Sequence, residues 1–198
     1  MDKKAIQEQR MRGYFIAATK DILRSEGVKS ISVRNIADRA GYSFATLYNY
    51  FKDVKDLVFL CVEDFREECR AYVENKTEKV PRGQKRLKAI IAAYLEYFIQ
   101  YPGIFELFFI EKLSDIDNKQ GTPALVVSFL EHLCQREWEY CVEKQVMTAG
   151  EVAAKKAALL YGTTGLLVLY LNRRTPDSYN AFLKAATGFI DQQLKGGV

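Results

Sequence analysis

Residues 32–57 read SVRNIADRAGYSFATLYNYFKDVKDL, and this stretch constrains the chain more than any other. Its pattern is that of two short helices joined by a tight turn and followed at once by a third. Ser32 suits an N-cap, because its hydroxyl can accept an orphan amide of the first turn. Val33, Ile36, Ala37 and Ala40 recur at helical spacing and give one apolar face. Gly41 offers the positive φ that a sharp inter-helix turn needs. Ser43 can cap the next helix, and Leu47 and Phe51, four apart, can bury together against the first. The second short helix and its flanks carry Tyr42, Ser43, Thr46, Tyr48, Asn49, Tyr50 and Lys52, side chains that suit nucleic acid. A helix-turn-helix presents such a helix to the major groove, so the stretch reads as a sequence-specific DNA-binding element.

Charge points the same way. Residues 1–57 hold 11 Lys and Arg against 7 Asp and Glu, whereas residues 58–198 hold 18 of each. The formal excess of +4 therefore sits on the segment that contains the motif. Neutralising phosphates needs local positive charge of this kind.

The rest of the chain is an ordinary globular sequence. Hydrophobic residues make up 48% and charged residues 27% of 198, enough apolar material for a real core of one or two domains. Only four prolines interrupt long periodic segments, which indicates an all-α fold. The start, MDKKAIQEQRMRG, is charged and lacks the apolar core of a signal peptide. The longest apolar run, Ala157–Leu171, falls short of the ~20 residues of a membrane span and contains Gly162, Thr163, Thr164 and Gly165. No membrane association and a cytoplasmic location follow as the expectation. Cys61, Cys69, Cys134 and Cys141 form no CxxC pair, and with His132 as the single histidine no zinc site is expected. The cysteines read as small buried residues in a reducing cytosol, with a redox role for Cys134 and Cys141 as the alternative. No phosphate loop, metal set or nucleophile motif argues for an enzyme.

Periodicity divides the chain into about nine helices. The first runs from about Ala5 to Glu26 and stops at Gly27. The two helices of the motif follow, and a fourth spans about Asp53–Asn75. Lys76–Lys85 reads as a connection. Further helices cover about Arg86–Gln100 and Ile104–Leu113, and Ser114–Thr122 reads as a polar loop. Thr122-Pro123 and Thr175-Pro176 both look like an N-cap followed by proline at the first helical position. They start helices that reach about Val146 and Leu194, with another at about Glu151–Leu171 between them.

The motif resembles the N-terminal signature of TetR-type (TetR/AcrR) transcriptional regulators. The likeness runs from about Tyr14 to Leu57 and rests on Ile36-Ala37, Ala40-Gly41, Ser43, Thr46-Leu47-Tyr48, Tyr50-Phe51 and Leu57. It implies an N-terminal three-helix DNA-binding head over residues 1–52 and a helical ligand-binding and dimerisation domain over residues 53–198. It also implies that Thr46, Tyr50 and the amide end of the fourth helix hold phosphates, with Lys52 and Lys55 adding charge. Tyr42, Phe44, Ala45, Tyr48 and Asn49 are expected to face bases, and Arg34 to grip guanine in a bidentate pair. Ser43 belongs to the same interface. Phe44 has two readings, contact with a thymine methyl or burial in the head's own core. Two positions depart from the family pattern. Ala45 replaces a glycine, and Val54 replaces a lysine that commonly touches phosphate.

The resemblance further implies a homodimer through the last two helices, reading a palindromic operator in double-stranded DNA. The expected contacts are Leu159, Gly162, Thr163, Leu166, Leu167, Tyr170, Phe182, Ala186 and Phe189; packing inside one protomer is the alternative. Half-sites one turn apart lie roughly 34–36 Å centre to centre. No cofactor is expected, but an unidentified small-molecule effector is. Candidate pocket residues are Tyr94, Phe98, Phe105, Phe108, Phe109, Trp138 and Tyr161, any of which could instead be core. A DNA-organising protein that uses the same head without a ligand is the other reading.

Overall fold

The computed structural model describes residues 2–111 and 122–195, and among these it is helical throughout with no β-strand. Ten α-helices follow one another: α1 (Lys3–Ser25), α2 (Val33–Ala40), α3 (Phe44–Tyr48), α4 (Val54–Thr77), α5 (Gln84–Gln100), α6 (Pro102–Phe109), α7 (Thr122–Val127), α8 (Phe129–Glu143), α9 (Ala149–Arg173) and α10 (Tyr179–Leu194). A 3-10 turn at Val28–Ser30 joins α1 to α2.

The chain forms two compact units, Met1–Glu67 with Tyr101–Pro123, and Glu68–Gln100 with Ala124–Val198. The division falls within α4 rather than at its start, and α6 belongs to the first unit. The sequence boundary at residues 52 and 53 marks the end of the helix-turn-helix, not the edge of a compact unit. The reason lies in α6, whose Ile104, Phe105, Leu107 and Phe108 are buried and whose first turn packs on the end of α1. A Cβ at Gly103 would lie 2.2 Å from the Leu23 carbonyl oxygen, so only glycine permits this approach.

The core of the first unit gathers Phe15, Ala18, Ile22, Ile36, Leu47, Phe51 and Leu57 from α1 to α4. Helix α3 has only five residues, too few to persist alone in water. It is held by fully buried Leu47 and by caps at both ends.

In the second unit α5 packs against α8, α9 and α10. It buries Leu87, Ile90, Ile91, Ala93, Tyr94, Leu95, Tyr97 and Phe98. The turn into α5 is tied down by the buried Glu137 carboxylate, which accepts from the Gly83 amide at 2.7 Å and Arg82 Nε at 3.2 Å. Such a buried carboxylate is tolerable only because it is paired and hydrogen-bonded.

Several helix limits differ from the sequence reading. Pro102 opens α6, two residues before the expected start, because proline costs nothing at a first turn. The long helix expected to reach Val146 breaks at Ser128 into α7 and α8. Helix α7 includes Thr122, and the loop expected over Ser114–Thr122 otherwise lies outside the described residues. The last helix starts at Tyr179 under a Ser178 cap, not at Thr175-Pro176. Helix α9 starts two residues early under a capping box, in which Thr148 and Glu151 bond each other's backbone amides.

At 25 residues α9 is long and apolar enough, by length and composition alone, to cross a membrane. The shorter run Ala157–Leu171 understates it. One such helix is weak evidence for a membrane span, because an interface or core helix passes the same test.

Candidate nucleic-acid interface

The recognition segment is built from local signals. Ser32 Oγ accepts from the Asn35 amide at 3.1 Å, which starts α2, and Asn35 Nδ2 donates to the Ser30 carbonyl at 2.8 Å. Gly41 closes α2 in the left-handed region, with φ of 76°. The Tyr42 amide then returns to the Ala37 carbonyl at 3.0 Å. Ser43 Oγ accepts from the Thr46 amide at 3.1 Å and lies 2.9 Å from Thr46 Oγ1. Ser43 and Thr46 thus shape the helix as well as facing outward.

With Leu47 buried, the rest of α3 turns to solvent. Phe44 is 64% and Tyr48 52% exposed, and Ala45 and Asn49 are exposed beside them. Phe44 is therefore not part of the head's core, because Leu47 and Phe51 already fill the apolar face behind α3. Arg34 on α2 and Lys52 and Lys55 around the start of α4 are exposed, and none makes an ion pair among the described residues. Other cations of this unit are engaged. Lys20 pairs with Asp64 at 3.0 Å, and Arg39 bonds Asp21 and Glu26. The amide end of α4 is partly satisfied, because Asp53 Oδ1 accepts from the Lys55 amide at 3.0 Å.

Tyr42 and Tyr50 are less free. The Tyr42 ring lies 6.1 Å from that of Tyr14 and 5.6 Å from that of Phe15. Tyr50 is half-buried, its carbonyl accepting from Arg12 at 2.6 Å while that guanidinium sits 4.3 Å over the Phe51 ring. Tyr14, 52% exposed beside Tyr42, is a surface residue that the motif alone does not reveal. The signal was its place one residue before Phe15 on the first helix.

The second unit holds a solvent-open cleft of about 970 Å³, lined at its floor by Ile91, Leu130, Cys134, Trp138, Val152 and Leu159 and at its rim by the exposed Val127, Val142 and Tyr161. Across its wall runs a polar chain. Lys156 Nζ donates to Glu131 at 2.8 Å and lies 3.3 Å from Gln135 Oε1, and Gln135 donates to Glu139 at 2.7 Å. Of the pocket residues expected from sequence, Trp138 and Tyr161 line this cleft. Tyr94 and Phe98 do not; they are buried in α5, edge-on to each other at 4.9 Å. Phe105, Phe108 and Phe109 lie on α6, in the other unit, because the apolar face of α6 packs on α1.

Of the interface residues expected on the last two helices, five are already covered inside the protomer. Leu159, Thr163, Leu167, Phe182 and Ala186 are buried within one protomer. Gly162 lies against the Phe189 ring, 2.0 Å from where a Cβ would stand, and Tyr170 packs on Phe182 at 4.6 Å. Leu166 is half-buried. This seam joins α9 to α10 inside the unit, where glycine lets the two helices close up. The apolar residues left exposed are Tyr161 and Leu169 on α9, 74% and 48%, and Tyr179 and Leu183 on α10, 43% and 41%.

All four thiols are buried and unpaired with one another. Burial pushes the Cys69, Cys134 and Cys141 thiols up, away from the reactive thiolate. Among the described residues no group of three or more His, Cys, Asp or Glu is placed to hold a metal.

Residues 15–60 match the sequence model described as bacterial regulatory proteins, tetR family. The transcriptional regulator BetI of Klebsiella pneumoniae is 33% identical over 93 residues, which are 46% of this chain and 47% of BetI. The chain thus spans about half the length of the curated relatives it matches. A TetR family transcription regulator from Marinobacter aquaeolei shares the fold with a TM-score of 0.67 at 16% identity, over 96% of this chain and 98% of that one. FadR from Bacillus subtilis, solved with stearoyl-CoA, gives 0.68 at 11% identity, over 93% and 98%. The tetR-family signature thus lies over the helix-turn-helix described above, within a fold that the chain shares with these two solved structures along more than nine-tenths of its length.

Proposed function

We propose that this protein is a ligand-responsive repressor of transcription that binds a palindromic operator as a homodimer in the cytoplasm. TetR-family regulators are non-enzymatic transcription factors. The observation that carries the reading is the exposed ridge Phe44–Tyr48–Asn49 on a helix anchored by Leu47, flanked by Arg34, Lys52 and Lys55. Side chains so placed read base edges, Arg34 by a bidentate pair with guanine, while Lys52, Lys55 and the Thr46 hydroxyl hold the backbone. Two copies meet through the exposed faces of α9 and α10, because α9 leaves an apolar stripe that one protomer does not cover. The cleft of the second unit takes the small-molecule effector, a reading supported by FadR, which has the same fold and was solved in complex with stearoyl-CoA. An effector that binds the DNA-incompetent arrangement better must, by linkage, weaken operator binding by the same factor.

Selection of bound duplexes from a random pool, followed by sequencing, tests this. A palindromic consensus is the expected result. Equal recovery of all sequences at low salt would favour the DNA-organising reading, and no binding would sink both.

A further inference from the structure

Helix α1 begins eleven residues before Tyr14, and this extension of ~16 Å carries a face of its own. Lys3, Gln7, Arg10 and Tyr14 are spaced by four, three and four residues, which places them in one line along the helix. The stacking of Tyr14 on Tyr42 identifies that line as the one bordering the turn into α3. All four residues are exposed, and neither Lys3 nor Arg10 has an ion-pair partner among the described residues. The acidic residues of this stretch fall elsewhere. Asp2 precedes the helix and accepts from the Lys4 amide, and Glu8 lies more than 90° around the helix axis from the line, by ~100° per residue. Further along the same face Asp21 is neutralised by Arg39.

We propose that the Lys3–Gln7–Arg10–Tyr14 face of α1 grips backbone phosphates of the duplex flanking the base pairs read by α3. The proposal rests on the DNA-binding reading above and adds a second, sequence-independent contact surface to it. Its charge fits a polyanion. Its continuity with Tyr42 puts it on the same side of the head as the recognition helix. A tyrosine hydroxyl, an amide and two cations are the groups that hold phosphates without reading bases. The predicted footprint on DNA is therefore longer than the base pairs that show sequence preference.

The test uses the full chain and the duplex enriched in the random-pool selection, with long or trimmed flanks. The Lys3→Ala/Arg10→Ala variant should unfold at the same temperature as the wild type, since both side chains are exposed. Its slope of log affinity against log salt should fall by about 1.8, two contacts at ~0.9 each, with base preference unchanged. Trimming the flanks should weaken the wild type more than the variant, which keeps Gln7 and Tyr14. Tyr14→Phe should weaken binding to long-flank duplexes while keeping the stack on Tyr42. A wild type with a salt-dependent slope that the double variant shares, on either duplex, overturns the α1 surface alone. A wild type that enriches no duplex overturns the DNA-binding reading on which it rests.

Discussion

The ring of Tyr14 stacks on the ring of Tyr42, centroids 6.1 Å apart and planes inclined by 28°. Phe15 meets the same tyrosine from the core side at 5.6 Å, so Tyr42 is held between an exposed and a buried aromatic of one helix. The turn that aims α3 is thereby fixed by α1, and not by its own capping residues alone. Arg12 adds a further tie, bonding the Tyr50 carbonyl just after α3. Both ends of the recognition helix are thus braced from the first helix, which leaves Phe44, Tyr48 and Asn49 free to meet a partner.

Phe44→Ala should relax base preference at one position of the enriched duplex and leave stability nearly unchanged. Its ring is largely in solvent, and surface substitutions of this kind usually shift stability by no more than ~0.5 kcal/mol. Repeating the binding selection with the variant checks this. An unchanged consensus removes Phe44 from the base-reading residues.

Lys52→Ala and Lys55→Ala should each weaken binding to all duplexes alike. A lost phosphate contact lowers the salt slope by ~0.9 without altering sequence preference. Val54 between them carries no charge, so the loss of either lysine should be readily seen in a salt titration. A lysine whose removal leaves the slope intact makes no phosphate contact.

Gly103→Ala should destabilise the first unit by about 1–3 kcal/mol, the usual cost of overpacking. The added Cβ meets the Leu23 backbone carbonyl, which cannot rotate aside as a side chain can. Denaturant unfolding measures the loss. Gly162→Ala meets the Phe189 ring instead, and a side chain can give way, so its cost should be smaller.

Leu169→Glu and Leu183→Glu should turn a dimer into a folded monomer. Both side chains are exposed in the protomer, so a charge there costs little until a partner covers it. Sedimentation with circular dichroism separates the two effects. By contrast Phe182→Ala should cost ~3–5 kcal/mol of protomer stability, because that ring is fully buried against Tyr170. A Leu183→Glu variant that stays dimeric would place the interface elsewhere.

The sequence by itself determined whatever depends on a few neighbouring residues. Ser32, Gly41 and Ser43 act on backbone groups within three to five positions, so the helix-turn-helix and its caps could be read directly. The all-α fold was legible because helical periodicity is local as well. Tertiary structure alone decided which partner each apolar face meets. Two stripes on the last helices satisfy the same periodicity whether they face each other or a second copy. Only packing shows that Phe182 and Leu167 are buried inside the protomer while Tyr161, Leu169 and Leu183 remain outside. The same holds for α6, whose Phe105 and Phe108 resemble a pocket lining in sequence but are buried on a helix that Gly103 lets close on α1. Burial is a property of neighbours distant in the chain, and no local pattern carries it.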